Sequence, residues 1–315
     1  MEIRPSNTSD IPSIIKLLKS SLGESLMPKS ELYWQWKHIN NPFGASPVWV
    51  AEEDNQIIGV RAFMQWQWKK SDQIYRAIRA VDTATDPAHQ GKGIFKKLTL
   101  GLLAQCENEG IHMVYNTPNN QSKPGYLKMG WQEAGKLPIQ ISIKKPIKIA
   151  IAKLKGKAET SFLELPNAAQ YDLQKALDQF QFDFKETSVW GTAYSLNYLN
   201  WRYAEVPIIP YYAHFNDQAC VIFRLKAGGL GVEMRVCDVF GDQKAIEQLL
   251  DELYYQNDFD YMSISGFEPV ELPGILKQNK NLGPDVTIRT LAEKDLSEFQ
   301  NFINWHPALG DLEVF

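Results

Sequence analysis

A weak internal repeat constrains this chain more than any other feature. Tyr33-x-x-Trp36-Lys37-x4-Pro42 recurs as Tyr198-x-x-Trp201-Arg202-x4-Pro207, at a constant offset of 165 residues. Strand-like segments follow both copies, from Val48 to Ala51 after Pro42 and from Tyr211 to Phe215 after Pro207. Further on, a strand from Gly231 to Val239, a helix from Gln243 to Tyr255 and a strand from Tyr261 to Ser265 repeat the order read from Tyr75 to Tyr115. A period this long predicts two copies of one fold, not a solenoid of short units. The length of 315 residues agrees, since it is about twice that of a common single domain.

Within the first copy, Ile11, Ile14, Ile15, Leu17, Leu18 and Leu22 recur at helical spacing after the polar cluster Ser9-Asp10. Strands are expected from Val48 to Ala51 and from Ile57 to Trp68 around an Asp54-Asn55 turn, and again from Tyr75 to Thr85. A helix carrying Ile94, Leu98, Leu102 and Cys106 on one face follows, then a buried strand from Met113 to Tyr115, a short helix ending at Gly130 and a last strand from Ile139 to Ile143. This order predicts a mixed sheet with helices on its faces, complete by about residue 145. Lys144, Lys145, Lys148, Lys153, Lys155 and Lys157 come next, interleaved with Ile147, Ile149, Ile151 and Leu154. A basic amphipathic stretch can lie on an anionic membrane. With so few apolar residues, a solvated linker or exposed helix is the expectation here.

Composition removes several function classes. Hydrophobic residues at 44% and charged residues at 22% are those of a globular chain. The 33 basic and 37 acidic residues leave −4, which is no footprint for nucleic acid. Cys106, Cys220 and Cys237 form no CxxC pair, and His38, His89, His112, His214 and His306 are scattered, so neither a disulfide framework nor a metal site is expected. Cys106 falls in register with the buried helix face, where a thiol packs as a small hydrophobe. The polar start MEIRPSNTSD and the lack of a long apolar run predict no secretion signal and no integral membrane segment, hence a cytoplasmic protein.

The chemistry concentrates in Thr85-Asp86-Pro87-Ala88-His89-Gln90-Gly91-Lys92-Gly93-Ile94-Phe95. A strand ends, a glycine loop turns and a helix begins. Unpaired N–H groups and the helix dipole make such a start a site for a pyrophosphate. Glycine lets phosphates approach the backbone, and Lys92, Lys96 and Lys97 can add charge. A second signal follows a predicted buried strand: Asn119-x-x-Ser122-x3-Tyr126-x3-Gly130-Trp131. Together the two motifs resemble the GNAT superfamily of acyl-CoA-dependent N-acetyltransferases. Gln90 and Gly93 fit that family's pyrophosphate loop, Phe95 stands where it has Gly or Ala, and Trp131 replaces its Phe.

The resemblance implies an α/β (mixed α+β) protein of two GNAT-like domains, each a twisted mixed sheet flanked by helices. Residues 1–145 would be catalytic, 146–160 a basic linker and 161–315 a degenerate copy, since Phe240-Gly241-Asp242 replaces the glycine loop and its acid would repel phosphate. Acetyl-CoA would lie along Thr83, Ala84, Thr85, Gln90, Gly91, Lys92, Gly93, Ile94, Phe95, Asn119 and Ser122, with no metal. Tyr126 would protonate the leaving thiolate. The base is unmarked: Asp82, Glu52, Glu53 and water are all open, each carboxylate being equally at home as a surface or turn residue. Trp34, Trp36, Trp66 and Trp68 can line an acceptor pocket or simply pack. The acceptor would be an amine of a small molecule or peptide, held between the halves. The tandem also resembles transferases that use aminoacyl-tRNA to build cell-wall peptides, and a non-catalytic coenzyme A sensor is a third reading.

Overall fold

The computed structural model describes residues 1–23, 27–156, 159–184, 188–292 and 297–312. Polar caps and apolar stripes set its boundaries. Asn7 and Asp10 cap each other's backbone ahead of α1 (Ile11–Leu22), which buries Ile14, Ile15, Leu17 and Leu18. The first strand, β1 (Glu2–Pro5), precedes it, and α2 (Glu31–Trp34) follows. Next come β2 (Val48–Glu53), β3 (Gln56–Lys70), β4 (Gln73–Thr85), α3 (Ile94–Asn108), β5 (Met113–Asn116), α4 (Lys123–Lys128), β6 (Gln132–Lys136) and β7 (Ile139–Ile143). After α5 (Pro146–Lys155) the chain continues through β8 (Ser161–Leu163), α6 (Leu173–Gln179), β9 (Gly191–Thr192), α7 (Leu196–Leu199), β10 (Tyr212–Phe215), β11 (Ala219–Gly228) and β12 (Gly231–Gly241). The last elements are α8 (Gln243–Gln256), β13 (Tyr261–Ser265), β14 (Leu276–Lys280), β15 (Asp285–Thr290) and α9 (Leu309–Leu312).

Two mixed sheets result. The first has the order β1-β2-β3-β4-β5-β15-β6 with β9 on β3, and the second β10-β11-β12-β13-β7-β14 with β8 on β11. Each contains one parallel pair, β4 with β5 and β12 with β13, amid antiparallel neighbours. The strands β2 to β5 thus match β10 to β13 in order and sense, and α3 and α8 follow the equivalent strands.

The halves exchange a strand. β7 leaves the first sheet and pairs in the second, where Ile143 faces Tyr261 on one side and Leu276 on the other. β15, from near the far end of the chain, fills the slot between β5 and β6, with Thr290 against Met113 and Ile288 against Gln132. The first unit is therefore not complete by residue 145, and a division there does not fall between the sheets. Ile139 to Ile143 is a strand as expected, but alternation says nothing about which sheet a strand joins.

The repeat's tryptophans meet at the seam. Trp36 and Trp201 stack at 5.0 Å with their planes 16° apart. Trp36 Nε1 donates to the Trp201 carbonyl at 2.7 Å, and Trp201 Nε1 donates to the Trp36 carbonyl at 2.8 Å. Reciprocal bonds between equivalent positions place an approximate two-fold axis here. The basic segment is largely the helix α5, pinned by Lys145 to Asp258 and by Lys148 Nζ to Asp260 at 2.9 Å; Lys157 lies outside the described residues.

Candidate active site

β4 and β5 pair through Ala77–Met113, Ile78–Val114 and Arg79–Tyr115 and then separate, while β4 runs on to Thr85. On its other edge Thr83, Ala84 and Thr85 pair with Arg61, Val60 and Gly59 of β3, so the free edge of this stretch faces the gap. At the open end His89 bridges Asp86 and Glu53, at 2.8 and 3.2 Å, and steadies the loop. Gly93 enters α3 with φ +74°, a left-handed turn that suits glycine. The first hydrogen bond of the helix joins Lys97 N–H to the Gly93 carbonyl at 3.0 Å. Among the described residues, the N–H groups from Gly91 to Lys96 have no partner. A Cβ at Gly91 or Gly93 would meet nothing within 4 Å, so the loop is open to an approaching group. Gln90, Lys92, Lys96 and Lys97 are exposed around it, and Ile94 is buried beneath, where a Cβ on Gly59 would come within 2.7 Å of it. Unpaired amides at a helix start, ringed by lysines, suit a pyrophosphate.

The second copy repeats the fork without the cradle. β12 and β13 pair through Glu233–Tyr261, Met234–Met262 and Arg235–Ser263. The N–H groups of Lys244 and Ala245, however, are taken by the Asp242 carboxylate at 3.0 and 3.1 Å. A Cβ on Gly241 would sit 2.1 Å from the Gln218 carbonyl oxygen, which leaves no room for a ligand.

Asn119 is exposed, Ser122 is half-buried, and the two engage each other. Asn119 Oδ1 accepts from the N–H groups of Gln121 and Ser122 and from Ser122 Oγ, forming the turn that opens α4. Pro124 sits in the first turn of that short helix, where its missing N–H does no harm. Tyr126 is buried, with its ring edge-on to Phe95 at 5.7 Å and to Trp131 at 5.1 Å. Phe95 thus connects the start of α3 to Tyr126. The tyrosine oxygen accepts from Arg61 Nη1 at 2.8 Å. Arg61 is itself buried, against Phe63 and Phe95, and its Nε and Nη2 have no hydrogen-bond partner among the described residues. Nothing in the sequence singles out Arg61, because an arginine on a strand is read as exposed.

Asp82 lies at a bulge of β4 with φ +34°, beside a cavity of about 350 Å³. Apolar residues of α1, including Ile15 and Leu18, form one wall, and Tyr33, Trp34 and Lys37 form another. Ser21 Oγ ties α1 to the Thr85 carbonyl at 3.2 Å, so this cavity adjoins the end of β4. All its lining residues belong to the first copy. Lys37 Nζ and His38 Nε2 reach Asp82 Oδ2 at 2.6 and 2.8 Å, and His38 also contacts Ser46 Oγ at 2.9 Å. Burial opposes ionisation of Asp82, but the Lys37 ammonium and the hydrogen bond from His38 outweigh it and hold the carboxyl well below the usual range. Burial lowers Lys37 and His38, with Asp82 opposing.

The other candidates are accounted for structurally. Glu52 pairs with Arg4 at 2.7 Å, and Glu53 with the N-terminal amine and His89. Trp66 and Trp68 are core residues, and only Trp34 reaches the cavity. Burial pushes the Cys106 thiol up to about 12, which leaves it inert. A further repeat escaped the sequence reading: Asp82 and Asp238 each stand four positions before the loop aspartates Asp86 and Asp242. Asp238 accepts from Tyr194 and Tyr203.

Residues 2–134 match a family model described as an acetyltransferase (GNAT) domain. Over those residues the chain is similar to a GNAT domain. Among solved structures, it resembles a GCN5-related N-acetyltransferase from Anabaena variabilis, at 14% identity over 92% of this chain and 72% of that one, with a TM-score of 0.63. A conserved protein of unknown function from Enterococcus faecalis, described as a probable N-acyltransferase, follows at 11% identity, 92% and 73% coverage and a TM-score of 0.61. A GCN5-related N-acetyltransferase from Kribbella flavida gives 10% identity, 92% and 71% coverage and 0.55. No curated protein matches the chain significantly in sequence. At these identities the likeness is one of fold, a mixed α/β fold. No metal-holding group of His, Cys, Asp and Glu occurs among the described residues, and no described helix is long and apolar enough to cross a membrane.

Proposed function

We propose that the protein is an acyl-CoA-dependent N-acyltransferase that moves an acetyl group onto a primary amine of a small molecule or peptide. The run of unpaired N–H groups from Gly91 to Lys96, at the mouth of the β4–β5 gap, carries this reading. These groups would hold the coenzyme A pyrophosphate, with Lys92, Lys96 and Lys97 nearby, and the free edge of Thr83 to Thr85 would run beside the coenzyme. Acetyl-CoA supplies an activated acyl group whose leaving group is a thiolate. The chain's part is to position, polarise and move protons. Amides on the free edge of β4 can donate to an oxygen that gains negative charge. Tyr126 already accepts from Arg61, so its own hydrogen remains to be donated to sulfur.

The acceptor enters by the α1–α2 cavity, which adjoins the end of β4, and not between the halves. Asp82, held low by Lys37 and His38, is a weak proton acceptor; it fixes those two side chains in the cavity wall, and the amine's proton passes to water. Calorimetry with acetyl-CoA tests the assignment. Gly93→Asp should abolish binding, since a carboxylate then projects into the cradle, and the folded spectrum should persist. Unchanged affinity would overturn the coenzyme site. Transfer to a panel of amines by the parent protein then identifies the acceptor class, and no transfer to any amine would leave binding without catalysis.

A further inference from the structure

α5 turns its apolar edge outward. Of its large aliphatic residues only Ile149 is buried, whereas Ile147, Ile151 and Leu154 are 76%, 48% and 88% exposed. At 3.6 residues per turn these three fall within about 60° of one another, on the side away from Ile149. Lys148, on one side of the stripe, is held by Asp260, and Lys153, on the other, lines the cavity at the helix's C-terminal end. A helix packed on a globular body ordinarily shows the reverse polarity. The inner face is anchored firmly: Lys145 and Lys148 pair with Asp258 and Asp260, and Lys144 donates to the Tyr254 and Asn257 carbonyls. Ile275, 97% exposed, precedes Leu276, which pairs with Ile143 just before α5.

At the C-terminal end of α5 lies a cavity of about 510 Å³ lined by Lys153, Thr160, Lys226, Arg235 and Tyr261. Glu233 neutralises Arg235 at 2.8 Å. Lys153 and Lys226 have no carboxylate partner among the described residues, and burial and the neighbouring arginines lower Lys226. Six lysines and no acid occur between residues 144 and 157. A convex apolar ridge that ends at Lys153 and Lys226 suits the boundary of a lipid layer, where apolar side chains lie among acyl chains and ammonium groups reach headgroups. The positive sign of Lys153 and Lys226 selects an anionic layer.

We infer that α5 and the cavity at its C-terminal end dock the protein on an anionic membrane surface, with a phospholipid headgroup phosphate entering between Lys153 and Lys226. The docking face belongs to the second sheet and is separate from the coenzyme loop, so it stands whether or not the proposed activity holds. The full chain should sediment with vesicles of phosphatidylcholine and phosphatidylglycerol, not with phosphatidylcholine alone, and high salt should release it. Ile151→Asp with Leu154→Asp should abolish sedimentation. Lys153→Gln and Lys226→Gln should each weaken it about fivefold, as expected near an anionic surface.

The three native cysteines are buried, so Ile151→Cys can be labelled selectively with a polarity-sensitive dye. Its emission should shift to the blue on anionic vesicles, and that of a dye at Ile303→Cys, an exposed site, should not. Failure to sediment with anionic vesicles, equal binding to neutral ones, an unmoved dye at position 151, or binding of inorganic phosphate without vesicles would each overturn the inference.

Discussion

Replacing Asp82 by asparagine removes one charge from a buried trio and keeps its shape. The side chains of Lys37 and His38 are 2% and 1% exposed, and that of Asp82 is 23% exposed. Without Asp82, Lys37 is left charged, enclosed and unpaired, and breaking such a pair costs about 3–5 kcal/mol. The lysine can escape by losing its proton, which from an ordinary pKa of about 10.4 costs about 4.6 kcal/mol at pH 7, and this caps the loss. At roughly 2–4 °C per kcal/mol for large domains, the melting temperature should fall by about 6–18 °C.

The pH dependence has a definite sign. A carboxyl depressed in the folded state contributes stability above its unfolded pKa of about 3.9 and loses it as pH falls through the lower folded value. The parent should therefore lead the variant throughout neutral pH, and the difference should close in strong acid. It should also narrow toward pH ~10, as Lys37 in the variant sheds its proton. Melts of the parent, Asp82→Asn, Lys37→Met and the double variant decide the matter, with the double variant recovering most of the loss. A variant within about 0.5 kcal/mol of the parent would refute the anchoring role. Turnover that collapses while stability holds would instead make Asp82 the base.

Tyr126→Phe should lower kcat by about 10²–10⁴-fold with acetyl-CoA affinity retained, and parent-like turnover would place the acid elsewhere. Arg61→Met should cost about 10- to 100-fold in kcat, the worth of a charged hydrogen bond. Adding it to Tyr126→Phe should cost little more, and independent losses in single-turnover rates would contradict their coupling. Residues 1–150 expressed alone lack β15 and leave β7 without its sheet, so the fragment should aggregate unless residues 151–315 are co-expressed. A soluble fragment with a cooperative melt would show that the exchange is dispensable.

What the sequence made legible was local. Helical spacing located α1 and α3, the Asp54-Asn55 turn located a hairpin, and the loop from Asp86 to Gly93 announced unpaired amides because glycine and chain direction alone determine them. The exchange of β7 and β15 was not legible, since Ile139 to Ile143 alternates in the same way whichever sheet it joins. Arg61 and Lys37 were missed for a related reason. Their burial depends on partners distant in sequence, Tyr126 and Asp82, and a lone basic residue carries the prior of an exposed one. The repeat held an unused clue, because Lys37 aligns with Arg202 and both are buried.

The second copy's importance follows from where it touches the first. Asp242 and the Gln218 carbonyl close its own helix start, so it has no cradle to contribute. Its sequence neighbourhood nevertheless supplies β15, which holds β5 to β6, and α9, whose carbonyls meet Arg79. Arg79 is the last β4 residue paired with β5. Its Nη1 donates to the Asp311 carbonyl and its Nη2 to the Leu312 carbonyl, both at 2.8 Å, and Nη2 also reaches Thr117 Oγ1, just past β5, at 3.1 Å. Asp311 is fixed in turn by Thr192 Oγ1 at 2.7 Å. The point at which β4 and β5 part is thus clamped by the far end of the chain. A gap that must admit a ligand at constant width needs its vertex rigid, and here that rigidity comes from the half whose own helix start is closed.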